Sequence, residues 1–138
     1  MHIRIVQEKD ASELYDLARN FSTSFKVEKL AFDDSLRRLI VAPDACLAVA
    51  EIEGKIIGYV LGFDHDTLYA NGRVSWVEEI MVSAAFRRQN IGRQLMKYFE
   101  DWARIRNSRL VALATRRAAV FYKAAGYEES ATYFRKLI

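Results

Sequence analysis

"WVEEIMVSAAFRRQNIGRQLM", residues 76–96, carries two adjacent glutamates through an apolar stretch, into an arginine-rich turn, and on into helical spacing. The turn is the unusual part. A helix N-terminus already presents free N–H groups and the positive end of the dipole, so Asp or Glu is its favoured neighbour. Arg87, Arg88 and Arg93 stand there instead, which makes sense where an anion binds among them. Asn90 suits an N-cap or left-handed dihedrals. Gly92 has no Cβ to hold a ligand away from the backbone. Amides near residues 91–93 would face an oxyanion, and the arginines would add charge-assisted hydrogen bonds to a phosphate or pyrophosphate. A solvated basic loop accounts for the same residues without a ligand, and local sequence does not separate the two. Neither G-x-x-x-x-G-K-[ST] nor G-x-G-x-x-G occurs in the chain, which excludes the triphosphate P-loop and the dinucleotide fingerprint.

Upstream, "NGRVSWVEEIMV" (71–82) opens on a turn signal and continues as a strand. "CLAVAEI" (46–52) and "KIIGYVLGF" (55–63) read as strands joined by a hairpin at "EGK" (53–55). "HIRIV" (2–6) alternates as a first strand. Asp10 with Glu13 has the spacing of a capping box before Leu14, Leu17, Ala18 and Phe21, a helical face. A second, less periodic helix fits between Val27 and Ile40, closed by Pro43. Downstream, Ile91, Leu95, Phe99 and Trp102 mark a strong helix over residues 91–106. "RLVALAT" (109–115) reads as a strand buried on both faces. A short helix, 118–125, ends at Gly126, and "ATYFRKLI" (131–138) closes the chain as a strand. The order β-α-α-β-β-β-α-β-α-β predicts one mixed α/β (α+β) domain over 1–138, with early antiparallel hairpins and a late β-α-β unit.

Composition narrows the classes. With 138 residues, 51% of them apolar, the chain can bury a core without staples. A lone Cys46 excludes a disulfide framework and a multi-cysteine metal site. The polar start and the lack of a long apolar run predict a cytoplasmic protein without a membrane anchor. A net charge of +3, from 21 basic and 18 acidic residues, does not call for nucleic acid.

Three further groups carry candidate chemistry. Tyr122, held in "AAVFYKAAGYE" (118–128) by Ala118 and Phe121, is a proton donor at neutral pH or an ordinary core tyrosine. Glu78 and Glu79 are candidate general bases. Strict alternation groups Glu78 with Ile80 and Val82, and Glu79 with Val77 and Met81. It leaves open which set faces a cleft. Asp64, His65 and Asp66 form an acidic cluster in what reads as a loop overhanging that cleft, suited to attracting a cationic acceptor. Their spacing matches no strong metal template, so no metal is expected.

The order of these parts, together with "WVEEIMVSAAFRRQNIGRQLM" and "AAVFYKAAGYE", resembles the GCN5-related N-acetyltransferase (GNAT) family. The resemblance implies an acyl-CoA N-acyltransferase fold, with a mixed, mostly antiparallel twisted sheet splayed into a V and flanked by helices. It implies acetyl-coenzyme A as donor and a primary amine of a small molecule as acceptor. The acidic loop suggests a polyamine or another cationic amine; a protein N-terminus or lysine is the alternative. The family loop falls on Arg87, Arg88, Gln89, Asn90, Ile91, Gly92 and Arg93, which would hold the pyrophosphate. Ile80, Met81 and Val82 would bond the pantetheine arm through their main chain. Thr115, Ala118, Phe121 and Tyr122 would line the coenzyme. Tyr122 looks like the acid that reprotonates the thiolate, and Glu78 like the base, with Glu79 beside it and toward the acceptor.

Two residues depart from the family pattern. Asn90 replaces the first loop glycine, and Thr115 stands where many relatives have asparagine. The rival readings are a silent CoA-binding domain and a basic nucleic-acid module using Arg104, Arg106, Arg109, Arg116 and Arg117. The final strand would lie at a sheet edge or in an interface, which leaves a homodimer open.

Overall fold

Glu53 and Gly54 both take positive φ, +51° and +78°, the pairing that a two-residue hairpin with right-twisted strands requires. They join β2 (Ala45–Ile52) to β3 (Lys55–Asp66) in a computed structural model that describes residues 1–21 and 24–138. β4 (Arg73–Val82) pairs antiparallel with β3, and β1 (His2–Ile5) antiparallel with β2. β5 (Val111–Leu113) joins β4 in parallel, giving the sheet order β1-β2-β3-β4-β5. Four α-helices lie among the described residues: α1 (Ala11–Ala18), α2 (Lys29–Val41), α3 (Ile91–Ile105) and α4 (Ala119–Ala124).

The sheet buries both faces. On one, Ile91, Leu95, Met96 and Phe99 of α3 pack with Ile57, Val60 and Val77. Gly62 makes this contact possible: a Cβ there would overlap the Phe99 ring and lie 2.7 Å from the Trp76 carbonyl oxygen. On the other face, Leu14 and Leu17 of α1 and Leu36 of α2 cover Val49, Tyr59 and Leu61. Helix α2 forms where it was expected, but of the expected apolar face Leu36 is buried while Leu30 is exposed.

Asp10 and Glu13 do not form the expected capping box. The Asp10 carboxylate, 3% exposed, receives both Arg4 guanidinium nitrogens at 2.8 Å and the Gln7 N–H at 2.8 Å. Glu13 reaches instead to the Ile56 N–H, also at 2.8 Å. A buried ion pair outcompeted the local cap: the bidentate Arg4 fork satisfies both Asp10 oxygens, while Arg4 Nε also reaches Glu51 at 3.2 Å. The Arg4 hydrogen bonds hold the Asp10 carboxyl below its usual range against the opposing effect of burial. The native carboxyl pKa is the depressed one, so this stabilisation is complete above about pH 4 and fades as pH falls through the native value. Arg4→Met is expected to cost ~3 kcal/mol in urea unfolding at neutral pH, since it strands a buried carboxylate. The deficit should shrink in acid.

The largest departure is the C-terminus. Residues 131–138 form no strand, although their sequence alternates like one. A strand is stable only when its N–H and C=O groups are paired, and no described strand takes them.

Candidate active site

β4 and β5 stay together only briefly. Ser75, Trp76 and Val77 pair with Val111, Ala112 and Leu113, and the ladder then stops. From Glu78 to Val82, β4 is bonded to β3 alone, with Gly58 opposite Val82 and Leu61 opposite Glu79. The sheet therefore parts beside Ile80–Val82, leaving main-chain groups on one flank for an incoming extended molecule. Its wedge is the V-shaped splay.

A β-bulge lies at the same place. Leu61 faces Glu79 and Gly62 faces Val77, so Glu78 has no opposite number. The inserted residue shifts the alternation, so of the grouping expected from strict period two Glu79 keeps Met81 as face-mate but not Val77, and Glu78 parts from Ile80 and Val82. Val77 and Ile80 both pack toward α3. Trp76, Glu79 and Met81 stand opposite Phe63, Leu61 and Tyr59, residues of the core on the α1 and α2 side. Glu78 turns to that side as well, accepting the Trp76 indole N–H at 3.1 Å.

The two carboxylates differ in setting. Glu78 is exposed. Glu79 is partly buried and accepts the Tyr59 hydroxyl at 2.7 Å. Burial raises its pKa above the usual carboxylate range; the Tyr59 hydrogen bond pulls downward, and the charge of Glu78 pushes up. Tyr59, buried at 2% exposure, carries no sequence signal of its own beyond an apolar strand. Only the strand register, which sequence does not print, brings it to Glu79.

Past Val82 the chain makes the basic turn. The Arg87 guanidinium Nε donates to the Val82 carbonyl at 3.2 Å, folding the arginine back onto the strand end. Arg88 and Asn90 take φ of +65° and +67°. Asn90 thus supplies the left-handed geometry expected of it, without a side-chain cap. The first α3 amide bonded back to the turn is that of Gln94, to the Asn90 carbonyl at 3.2 Å. The amides of Ile91, Gly92 and Arg93 precede it and have no carbonyl one turn back inside the helix. No carboxylate among the described residues pairs with Arg88 or Arg93. Free amides, unpaired arginines and a Cβ-free Gly92 together fit a diphosphate.

Helix α4 seats Tyr122 against the same face as α3. Its ring is buried in the core cluster that also holds Ile91 and Leu95 and meets Phe121 and Tyr127 edge-on at 5.0 and 5.9 Å. The hydroxyl has no partner among the described residues, and no buried side-chain N or O is left unsatisfied. It therefore reaches solvent from a buried ring. Burial raises the phenol pKa, so the hydroxyl keeps its proton well past neutrality. Thr115 Oγ1 accepts the Ala118 N–H at 3.0 Å and braces the approach to α4. The Phe121 ring fills the side of Gly92 where a Cβ would stand, 3.4 Å from that position.

Asp64, His65 and Asp66 are not a loop but the end of β3. Asp64, 2% exposed, is bound by Arg106 through Nε to Oδ2 and through Nη2 to Oδ1 at 2.9 Å, with Arg73 Nε at 3.7 Å. Its charge is answered within the fold, on the α3 side and away from Glu79. His65 and Asp66 are exposed. Cys46 is fully buried and its thiol is pushed up to about 12 by burial, which suits an inert core residue. Among the described residues no cluster of His, Cys, Asp and Glu forms a metal-holding group.

The parted β4–β5 edge and the amide-bearing basic turn both lie within the stretch matched by a family comparison. The model of the acetyltransferase (GNAT) family matches residues 11–127. The chain belongs to the GNAT family. It is an acetyl-CoA-dependent acetyltransferase, as the members of that family are. An aminoalkylphosphonate N-acetyltransferase of Salmonella typhimurium is 25% identical over 140 residues, covering 99% of this chain and 90% of the relative. Two solved structures share the GNAT fold at lower identity. A protein from Bacillus halodurans described as a transcriptional regulator superposes with a TM-score of 0.92 at 21% identity, covering 99% of both chains. Glucosamine-6-phosphate N-acetyltransferase from Arabidopsis thaliana gives 0.87 at 20%, covering 99% of this chain and 97% of that one. No helix among the described residues is long and apolar enough to cross a membrane.

Proposed function

We propose that this GNAT enzyme acetylates the primary amine of a small molecule by direct transfer in the β4–β5 wedge. The observation that carries the reading is the parting of the sheet beside Ile80–Val82. Glu79, from one face of the sheet, and Tyr122, from the other, in this reading serve that opening. In this reading residues 88–93 hold the diphosphate of acetyl-CoA and Arg87 shapes the turn. Ile80, Met81 and Val82 pair with the pantetheine arm, and Thr115, Ala118 and Phe121 form the far wall. Coenzyme A supplies the acetyl group as a thioester. A main-chain N–H at Ile80–Val82 polarises its carbonyl.

Glu79 takes the proton lost by the amine, directly or through one water, as the N–C bond forms and the C–S bond breaks. Tyr122 gives its proton to the departing sulfur. Solvent restores the phenol and removes the proton from Glu79, leaving amide and free thiol. Partial burial and a raised pKa favour Glu79 over the exposed Glu78, because a base works best with a pKa nearer the working pH.

The acceptor is framed by α1, α2 and the sheet face bearing Trp76 and Phe63. Asp64 is already neutralised by arginine, which removes the main ground for a polycation. An aminoalkylphosphonate, the acceptor in the name of the Salmonella relative, belongs beside polyamines, amino sugars and lysine peptides in a panel. Free-thiol release with acetyl-CoA across that panel tests the reading. No thiol release with any amine, despite tight coenzyme binding, would leave a silent coenzyme-binding domain. A nucleic-acid module is disfavoured because Arg104 and Arg106 are spent on Asp101 and Asp64. The same reading includes a cytoplasmic location and a homodimer.

Arg93→Ala is expected to raise the KM for acetyl-CoA roughly tenfold with little change in kcat, the loss of a charge-assisted hydrogen bond to a ground-state phosphate. Steady-state kinetics at saturating amine would show it.

A further inference from the structure

The two carboxylate oxygens of Glu79 stand in unlike places. Oε1 accepts the Tyr59 hydroxyl at 2.7 Å. Oε2 has no hydrogen-bond partner among the described residues, and no buried side-chain oxygen is left unsatisfied, so Oε2 reaches solvent. An untied glutamate turns freely about its last bond and offers either oxygen in any orientation. One held at a single oxygen presents the other in a fixed direction.

Tyr59 is built to hold. On β3 it stands opposite Val49 of β2 and Met81 of β4. Leu61 stands opposite Glu79, so Tyr59 and Glu79 are diagonal neighbours on one face, within reach of an aromatic side chain. Leu14 and Leu17 of α1 and Leu36 of α2 share the apolar cluster of Tyr59. Glu13 ties α1 to β3 through the Ile56 N–H at 2.8 Å, which keeps that cover in place. Burial, the Glu79 charge and the hydrogen bond all raise the phenol pKa, so Tyr59 keeps its proton and stays the donor of the pair. Glu78 has no such brace; it is exposed and meets only the indole N–H of Trp76, two residues away on its own strand.

The other charges on this side of the sheet are answered elsewhere. On α1, Asp16 faces Arg19 at 3.8 Å, and Tyr15 donates to the Val27 carbonyl at 3.4 Å. On α2, Lys29 pairs with Asp33 and Arg37 with Asp34, while Arg38 is exposed. On β2, Glu51 accepts from Arg4. Glu78 raises the Glu79 pKa and Tyr59 lowers it, both against a background of burial that raises it.

We infer that Tyr59 is a positioning residue for acetyl transfer, fixing Oε1 of Glu79 so that Oε2 is the oxygen offered to the amine or its water. The inference rests on Glu79 being the base of the proposed function. The phenol transfers no proton; it orients the carboxylate and favours its ionised form.

The test uses Tyr59→Phe, Glu79→Gln and the double variant, each checked for folding by circular dichroism and a cooperative thermal transition. Tyr59→Phe should lower kcat/KM for the amine about tenfold even at high pH, where the base is fully ionised, the loss of one hydrogen bond to a charged group. The KM for acetyl-CoA should hold. Profiles are divided by that of Glu79→Gln, so the ionisation of the acceptor cancels. The acid limb of Tyr59→Phe should then lie at higher pH than that of the wild type, because the bond removed is the one pulling the carboxyl down. A merely structural tyrosine would cost stability and leave the limb in place. The double variant should be no slower than Glu79→Gln alone, since Tyr59 acts through that carboxylate. A second measurement needs no variant of Tyr59: with carbon-13 at the oxygen-bearing ring carbon of tyrosine, the Tyr59 signal of the wild type should titrate with the midpoint of the kinetic limb. An unmoved limb in folded Tyr59→Phe, an added loss in the double variant, or a Tyr59 signal that stays flat overturns the positioning role and leaves Glu79 as base. A limb that survives in Glu79→Gln overturns the base, and the positioning role with it.

Discussion

Tyr122→Phe should lower kcat by ~100-fold, the lower range for a lost general acid, while the KM for acetyl-CoA stays near the wild-type value. The substitution removes one oxygen from a ring whose packing with Phe121, Tyr127 and α3 is otherwise kept. The hydroxyl bonds to no described residue, so its loss leaves no partner stranded. A fall in kcat and in kcat/KM by the same factor would mark an interaction made only in the transition state. Because burial raises the phenol pKa, the wild-type enzyme should show no loss of this acid below about pH 10, the ordinary tyrosine value. Unchanged kcat would remove Tyr122 from the chemistry.

Glu79→Gln is the second large effect, with kcat/KM expected to drop ~100-fold. The base must be ionised to act, so wild-type activity falls as pH drops through its pKa. That value lies above the ordinary carboxylate range, because burial and then the Glu78 charge outweigh the Tyr59 hydrogen bond. The Gln variant should lose this acid limb. The acceptor's own ionisation persists in both enzymes and cancels when the profiles are divided. Glu78→Gln supplies the contrast: it deletes a charge that pushes Glu79 upward, so the limb should move to lower pH while most activity remains. If Glu78→Gln abolished the limb and Glu79→Gln merely shifted it, the two roles would be exchanged.

The legible parts of this chain were those whose physics is local. The Asn-Ile-Gly turn declared itself because three arginines at a helix N-terminus are electrostatically costly without an anion. Asn90 at φ +67° bears out the left-handed geometry read from its side chain. The α3 face was readable because Ile91, Leu95 and Phe99 recur at helical spacing, and all three are buried. What escaped was set by partners distant in sequence. The bulge at Glu78 depends on how β4 registers with β3, so strict alternation kept Glu79 with Met81 correctly but with Val77 wrongly. Asp64 looked like a free loop acid; Arg106, 42 positions along the chain, claims it. Asp10 looked like a helix cap, and Arg4 claims it. The final segment has the composition of a strand without the neighbour that would make it one.

Phe121 and Tyr122 are consecutive, one ring leaning on Gly92 and the other sunk in the core cluster that also holds Ile91 and Leu95. In the proposed mechanism, the turn that would anchor the diphosphate and the ring that would carry the proton donor are thereby mechanically fused, like a handle and its blade. A truncated nucleotide with no thioester arm, once seated on the turn, would still damp the motions of α4. The enzyme would then be poised for sulfur before any sulfur arrives.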